Sequence, residues 1–383
     1  MKRFITKNAP RPTVALLFGG MGKEHAVSVA SAQNLILLID RRRFRPLPVL
    51  ITQDGRWLVS ETADLSPEKM DAAARQYREK SRKHTEKRDT GSHLGEKSPL
   101  TEVLPTAHRG GGLRGECGFI RVDCAIPMLH GDLGEDGTVA GLLRGFGIPF
   151  IFSDVTAAAV SGDKILTKMI AERLGIPTAE WCVGRGASEC DMARERAEAA
   201  FGYPMFIKPS RLGSSIGVSR VSCADEFSAA YGSAAALDER VLIERCLPVA
   251  SEIECGLVSI GDRKELTKIG EIRTRGGFYD FKCKYSDDGR AEIVFPSPLD
   301  GDFGDAVRAA AGKLADAIGL TGISRIDFLL TRDGELYFNE INAIPGFTKA
   351  SLYPKLVTSV GLTPRALIGQ LLSECIKKHD RRL

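Results

Sequence analysis

The 383-residue chain has no apolar stretch of the length that crosses a bilayer, and its 9 cysteines lie scattered from Cys117 to Cys375 without a CxxC pair or a histidine at metal-ligand spacing. The first absence excludes a helical membrane span, and the second a zinc or redox motif. Reduced, mostly buried thiols are the expectation. Charge of one sign is also missing: 53 Lys and Arg against 49 Asp and Glu leave a net +4, too little to argue for nucleic acid or a membrane surface as partner. The basic opening MKRFITKNAPRPTVALLFGG has its apolar run broken by prolines, which argues against a secretory leader and for a cytoplasmic protein. With 43% hydrophobic and 27% charged residues the composition is that of an ordinary globular protein, and the length predicts two or three domains.

Two familiar nucleotide-binding spacings are absent as well. In FGGMGKEH, Gly20-Met21-Gly22-Lys23-Glu24 runs into His25 where a dinucleotide fingerprint requires a third glycine, and Lys23 is followed by Glu24 where a Walker loop requires Ser or Thr. A P-loop kinase is excluded. What remains is a tight strand-to-helix turn, with Glu24 at a helix N-terminus where a carboxylate is stabilised and open to a ligand ammonium.

What is present alternates strand and helix. Val14 to Phe18, Arg45 to Thr52, Trp57 to Val59 and Cys124 to Leu129 read as strands, while EHAVSVASAQNLILLI and Thr138 to Phe146 carry helical spacing. This predicts an open α/β domain over 1–154. Near 67–116 the pattern gives way to a helix from Pro67 to about Lys83 and then to mixed charge, Ser, Thr and Gly, expected to be a mobile, solvated insertion. Ser161 is expected to cap the amphipathic helix in SGDKILTKMIAERLGIP and to open an α+β unit that runs to 247. Strands dominate 248–383, among them SEIECGLVSI and ELTKIGEI, with helices at Gly304 to Ile318 and Pro364 to Lys378.

Residues capable of chemistry gather at strand ends. Ile323 to Leu330 and Glu335 to Ile341 flank Asp333-Gly334, a hairpin signal that sets Asp327 opposite Glu340 with Asn342 on the same face. Such a trio is either a solvated sheet face or a hard-cation site, since clustered carboxylates repel unless neutralised. Lys208 ends an apolar strand before Gly213-Ser214-Ser215: either a structural turn or a loop whose N–H groups wrap phosphate. Lys164 enters an otherwise apolar helix. Glu244 ends one strand and Glu252 begins the next, as edge charges or as acceptors for an amino group and a hydroxyl. GGFYDFKCKYSDDG, with Lys284 and Tyr285, has the composition of a lid.

Taken in order, these stretches resemble the D-alanine–D-alanine ligase family of the ATP-grasp superfamily. HGDLGEDGTVAGLL, IKPSRLGSSIGVS, SRIDFLL and NEINAIPGFTKASLYP all fit, and the likeness runs from about Val14 to Leu371. It implies an ATP-grasp fold, α+β subdomains at 155–247 and 248–383 holding ATP between them, behind the N-terminal α/β domain. It also implies a two-step ligation through an acyl phosphate, serving peptidoglycan precursor synthesis.

By the same resemblance Asp327, Glu340 and Asn342 would bind Mg2+, with Mn2+ as a substitute. Lys164, Lys208 and Lys284 would meet the ATP phosphates, with Ser214 and Ser215 in the loop, and Glu244, Leu247 and Glu252 would meet adenosine. Glu24 would take the first substrate's ammonium, linked through Ser214 to Tyr285; Arg325 and the N–H of Gly346 would face the oxyanion. Ser351 and Leu352 would hold the second D-alanine, with His130 and Glu135 lining the cleft. Leu352 and Tyr285 favour D-alanine as acceptor over D-serine or D-lactate. Phe281, Cys246 and the insertion depart from the usual pattern. A homodimer is implied. The rivals are a ligase of the same fold with another acceptor and a non-catalytic ATP-binding relative.

Overall fold

The computed structural model describes residues 11–60, 66–86, 99–274, 291–348 and 351–380. Strand β1 (Thr13–Gly19) is buried along its whole length, as expected of an unbroken apolar run covered on both faces. It pairs in parallel with β2 (Arg45–Ile51) and, on its other side, with β7 (Cys124–Pro127), helix α1 (His25–Leu35) making the crossover to β2. Beyond β2 the sheet continues antiparallel through β3 (Trp57–Ser60), β4 (Leu100–Thr106), β5 (Gly112–Gly115) and β6 (Gly118–Arg121).

The sequence-based expectation for the insertion is corrected at both ends. Helix α2 (Pro67–Glu86) outlasts Lys83, residues 87–98 lie outside the described residues, and β4 and β5 occupy the stretch expected to be a mobile loop. β5 and β6 have 4 residues each and glycine at three of their four ends, so they carry almost no periodicity to detect. The glycines are there for backbone approach: a Cβ on Gly115 would lie 2.1 Å from the Glu102 carbonyl oxygen, and one on Gly112 2.4 Å from that of Ile120. Buried Leu100, Val103 and Leu113 pin this ribbon to the domain core.

After α3 (Thr138–Gly145), the short α4 (Val155–Ser161) and α5 (Lys164–Arg173) lead into a second sheet. Here too an expectation is corrected. Ser161 closes α4, its hydroxyl donating to the Ala158 carbonyl at 2.9 Å, and the cap of α5 is Asp163, whose Oδ1 accepts from the N–H groups of Ile165 and Leu166 at 3.0 and 3.2 Å. The alanine run of α4 claims Ser161 first. The second sheet is antiparallel, built from β8 (Trp181–Arg185), β9 (Met205–Pro209), β10 (Ser219–Val221) and β11 (Arg240–Arg245) in the order β10-β9-β11-β8, and α6 (Cys190–Ala200) and α7 (Ala224–Ala235) cover it through Ala193, Ala197, Phe227 and Tyr231.

The third sheet has the order β15-β14-β12-β16-β17, with β13 also on β12: β12 (Val249–Ile260), β13 (Arg263–Leu266), β14 (Gly270–Thr274), β15 (Ala291–Val294), β16 (Gly322–Thr331) and β17 (Leu336–Asn342). Helix α8 (Asp302–Ile318) packs Val307, Ala311, Leu314 and Ala315 into its core beside Phe328 and Phe338, whose rings meet edge to face at 6.0 Å. After α9 (Tyr353–Leu356), helix α10 (Pro364–Asp380) buries Leu367, Ile368, Leu371 and Leu372 among residues of the first sheet, Val14, Leu16 and Ile126. The last helix therefore ties the third sheet to the first.

Phe328 is fully buried at the root of the β16–β17 hairpin. Phe328→Ala is expected to cost about 3–5 kcal/mol, read as a lowered midpoint in denaturant unfolding; a midpoint within error of the parent would show that this pair does not anchor the hairpin.

Candidate active site

The β16–β17 register pairs Asp327 with Glu340, as expected from the sequence, and Arg325 with Asn342, with an irregularity just after Asp327. Asp327 is buried. Its carboxylate accepts a two-pronged bond from Arg325, Nε and Nη2 each at 2.7 Å, and a third from Asn342 Nδ2 at 2.9 Å. Across the sheet, β12 sets Glu254 opposite Asp327, with Glu254 Oε2 3.3 Å from Arg325 Nε. Glu340 pairs with Lys164 Nζ at 3.1 Å. Two carboxylates and an amide oxygen on adjacent strands form a hard-oxygen donor set, which suits Mg2+ or Mn2+, and the cations now facing them show that the position demands positive charge.

Lys164, Lys208, Ser215, Glu244, Leu247, Glu252 and Glu340 all line one cavity of about 760 Å³ between the second and third sheets, in the size range of small-molecule sites. Lys164 is held at its mouth by donating to the Leu212 carbonyl at 2.7 Å. Burial disfavours its charge, but Glu340, with Glu135 and Glu24 behind it, outweighs burial and holds the ammonium above the usual lysine range. Glu244 is gripped at both oxygens, by Lys208 Nζ at 2.6 Å and Lys168 Nζ at 3.0 Å. Burial pushes its carboxyl up, yet the two lysines pull it down to about 2. Lys208 is shifted down, by burial and by the charges of Lys168 and Lys164, against the opposing pull of the carboxylate it shares with Lys168. The loop after Lys208 has Ser214 and Ser215 at φ 49° and 57°, consecutive left-handed residues that turn successive N–H groups toward one side.

A smaller cavity of about 120 Å³ adjoins it, lined by Glu24, His130, Glu135, Ser214, Glu254, Arg325, Gly346, Ser351 and Leu352, while Glu252 and Glu340 border both. Ser214 donates to Glu24 in a short hydrogen bond. The Ser351 hydroxyl accepts from the Thr348 N–H at 3.1 Å, under Gly346, where an added Cβ would lie 2.8 Å from it. His130 bonds Ser31 at 2.9 Å, and burial lowers its ring to about 4, so it faces the cavity as a neutral imidazole. Lys284, Tyr285 and Phe281 lie outside the described residues. Every other residue proposed from sequence borders one of the two cavities, except Asp327, which stands beneath them.

Sequence profiles described as D-ala D-ala ligase N-terminus and D-ala D-ala ligase C-terminus match residues 13–153 and 170–373. The chain belongs to the D-alanine–D-alanine ligase family. A D-alanine–D-alanine ligase of Thermoanaerobacter sp. (strain X514) is 35% identical over 374 residues, 96% of this chain and 98% of its own. One of Mycobacterium ulcerans (strain Agy99) is 36% identical over 387 residues, 97% and 98% of the two chains. Among solved structures, the VanG D-Ala:D-Ser ligase from Enterococcus faecalis matches with a TM-score of 0.78 at 29% identity, over 95% of this chain and 99% of that one. D-alanyl-alanine synthetase A from Vibrio cholerae matches with a TM-score of 0.79 at 24% identity, over 96% and 99%, which bears on the fold alone. The fold is that of the ATP-grasp ligases behind an N-terminal α/β domain.

In this D-alanine–D-alanine ligase family member, sequence reasoning passed over two charged residues. Lys168 is fully buried one helical turn beyond Lys164, where it pairs with Glu244. Glu254 lies two residues after Glu252 on a strand, hence on the same face. The structure also gives Glu135 a definite state. Its Oε2 accepts from the Gly131 N–H at 2.9 Å, and burial followed by the Glu24 charge raises its carboxyl from 4.5 to about 8.

At neutral pH Glu135 is therefore largely protonated in the folded chain and ionised in the unfolded one. Its contribution to stability is full below pH about 4.5 and is lost as pH rises toward about 8. Glu135→Gln keeps the acceptor for Gly131 and cannot ionise, so its melting temperature should fall less steeply than the parent's across that window; parallel curves would refute the assignment.

Proposed function

We propose that the chain is an ATP-dependent ligase that joins two D-alanine molecules to give D-alanyl-D-alanine, ADP and phosphate. The observation that carries this is the pair of adjoining cavities sharing Glu252 and Glu340, one lined by lysines and the Gly-Ser-Ser loop, the other by Glu24 and Arg325. A phosphate donor and a carboxylate acceptor then meet at their common wall.

ATP lies in the larger cavity, its phosphates toward Lys164, Lys208 and the turn at Ser214 and Ser215, its adenosine toward Glu244, Leu247 and Glu252. Asp327, Glu340 and Asn342 would hold Mg2+, which when bound neutralises charge on the transferred phosphoryl group. The first D-alanine places its ammonium on Glu24, which Ser214 orients. Its carboxylate oxygen attacks the terminal phosphorus as the bond to ADP breaks. Arg325 and the Gly346 N–H face the negative oxygen that forms when the amine of the second D-alanine attacks the acyl carbon; phosphate then leaves and the amine gives up its proton. Lys284 and Tyr285, which the family resemblance assigns to the transferred phosphate and to the chain through Ser214, lie outside the described residues.

Leu352, buried where it borders the smaller cavity, gives the acceptor an apolar wall that suits a methyl group better than a hydroxymethyl. D-Alanine is accordingly the acceptor, although the structurally similar VanG is a D-Ala:D-Ser ligase. We divide the chain into 1–154, 155–247 and 248–383, each built on one of the three sheets, and assign it to cytoplasmic peptidoglycan precursor synthesis as a homodimer.

The test is phosphate release from Mg-ATP with D-alanine alone or paired with D-serine or D-lactate, with the products separated. D-alanyl-D-alanine should predominate; release without any D-alanine-containing product would overturn the proposal. Losing an outer partner of a metal ligand alone costs ~10–100-fold, so Glu340→Gln should lower turnover at least about a hundredfold in a chain that still folds, with some loss of melting temperature because Lys164 loses its charged partner. Turnover near the parent's would remove Glu340 from the mechanism.

A further inference from the structure

Lys168 is 1% exposed, lines neither cavity, and reaches Glu244 from behind the wall of the larger one. Glu244 borders that cavity, with Lys208 on Oε1 and Lys168 on Oε2. Among the described residues the buried Oε2 meets Lys168 as an ion pair without a completed hydrogen bond, so its charge is balanced there by Lys168 alone. The two lysines differ in what else they serve. Lys208 borders the cavity and is drawn toward any phosphate bound there, whereas Lys168 lies behind the cavity wall and pairs with the acid.

We infer that Lys168 is a specificity-determining positioning residue, which fixes Glu244 as an acceptor-only carboxylate and thereby selects a nucleotide whose base presents an amino N–H over one that presents a carbonyl. The inference rests on the proposed use of ATP. Without Lys168, one oxygen of a buried carboxyl loses its cation, and when Lys208 turns to phosphate, burial favours the protonated acid. A protonated Glu244 can donate to a base carbonyl as well as accept from an amino group, and the preference relaxes. Pairing at both oxygens also holds the plane of the carboxylate that Glu244 brings to the cavity wall.

The experiment compares ATP with inosine triphosphate, whose base carries a carbonyl in place of that amino group and a hydrogen on the neighbouring ring nitrogen, by kcat/KM in D-alanine-dependent phosphate release. The parent is set beside Lys168→Met, which keeps the apolar stem, Lys168→Gln, which keeps a polar partner for Glu244, and Lys168→Arg, which keeps the charge. The ATP preference should fall about tenfold or more in both neutral variants and hold within about threefold in Lys168→Arg. A purely structural lysine would lower both nucleotides alike. That outcome, with the preference intact, overturns the inference, as does failure of both neutral variants to fold while Lys168→Arg folds. A parent with no D-alanine-dependent release instead defeats the proposed function, a result distinct from either.

Discussion

The active site depends on buried carboxylates that are stable only because cations stand against them. Asp327 rests on Arg325, Glu340 on Lys164, and Glu244 on Lys208 and Lys168. Each pair loses hydration, and stripping either partner leaves a buried charge uncompensated. The fold answers by setting the pairs on rigid elements. Asp327 and Glu340 face each other across one hairpin, Lys164 and Lys168 are successive turns of α5, and Lys208 and Glu244 sit on the neighbouring strands β9 and β11. The same arrangement is suited to exchange. Arg325 and Lys164 occupy acids whose oxygens a divalent cation would take, and the freed basic groups then face a cavity that collects substrate carboxylate and phosphate. Charge complementarity in the ligand-free chain thus prefigures the charges of the reaction.

Much of this was legible before any coordinates. Asp333-Gly334 between two apolar runs marked the hairpin; the turn-side register of Leu330 on Leu336, continued unbroken, would set Asp327 opposite Asn339, and the irregularity just after Asp327 brings it onto Glu340. Glu24 at the start of α1, and Lys208 at the end of β9 before Gly213, are similarly local signals, and the structure puts both on cavity walls. The short bond between Ser214 and Glu24 spans most of the first two domains, and only the family resemblance anticipated it.

What escaped sequence reasoning did so for physical reasons. β5 and β6 are short and glycine-ended, and their pairing is set by backbone approach that leaves no side-chain period. Ser161 and Asp163 are both good cap residues two positions apart, and the choice between them depends on where α4 ends, which the alanine run decides. Lys168 was passed over as one more polar residue of SGDKILTKMIAERLGIP. Its complete burial follows from Glu244 arriving from a strand 76 residues later, a tertiary fact that no local pattern carries.

The central claim is that the two cavities act together, so that a D-alanine carboxylate takes the terminal phosphoryl group of ATP before any peptide bond forms. Positional isotope exchange tests it most directly. ATP labelled with heavy oxygen in the bridge between its last two phosphates is incubated with the protein, Mg2+ and D-alanine, and the label's position is followed. Reversible formation of the acyl phosphate should scramble the label into non-bridging positions only when D-alanine is present. Full turnover to dipeptide with the label held in the bridge, under conditions where ADP rotates freely in the site, would contradict it.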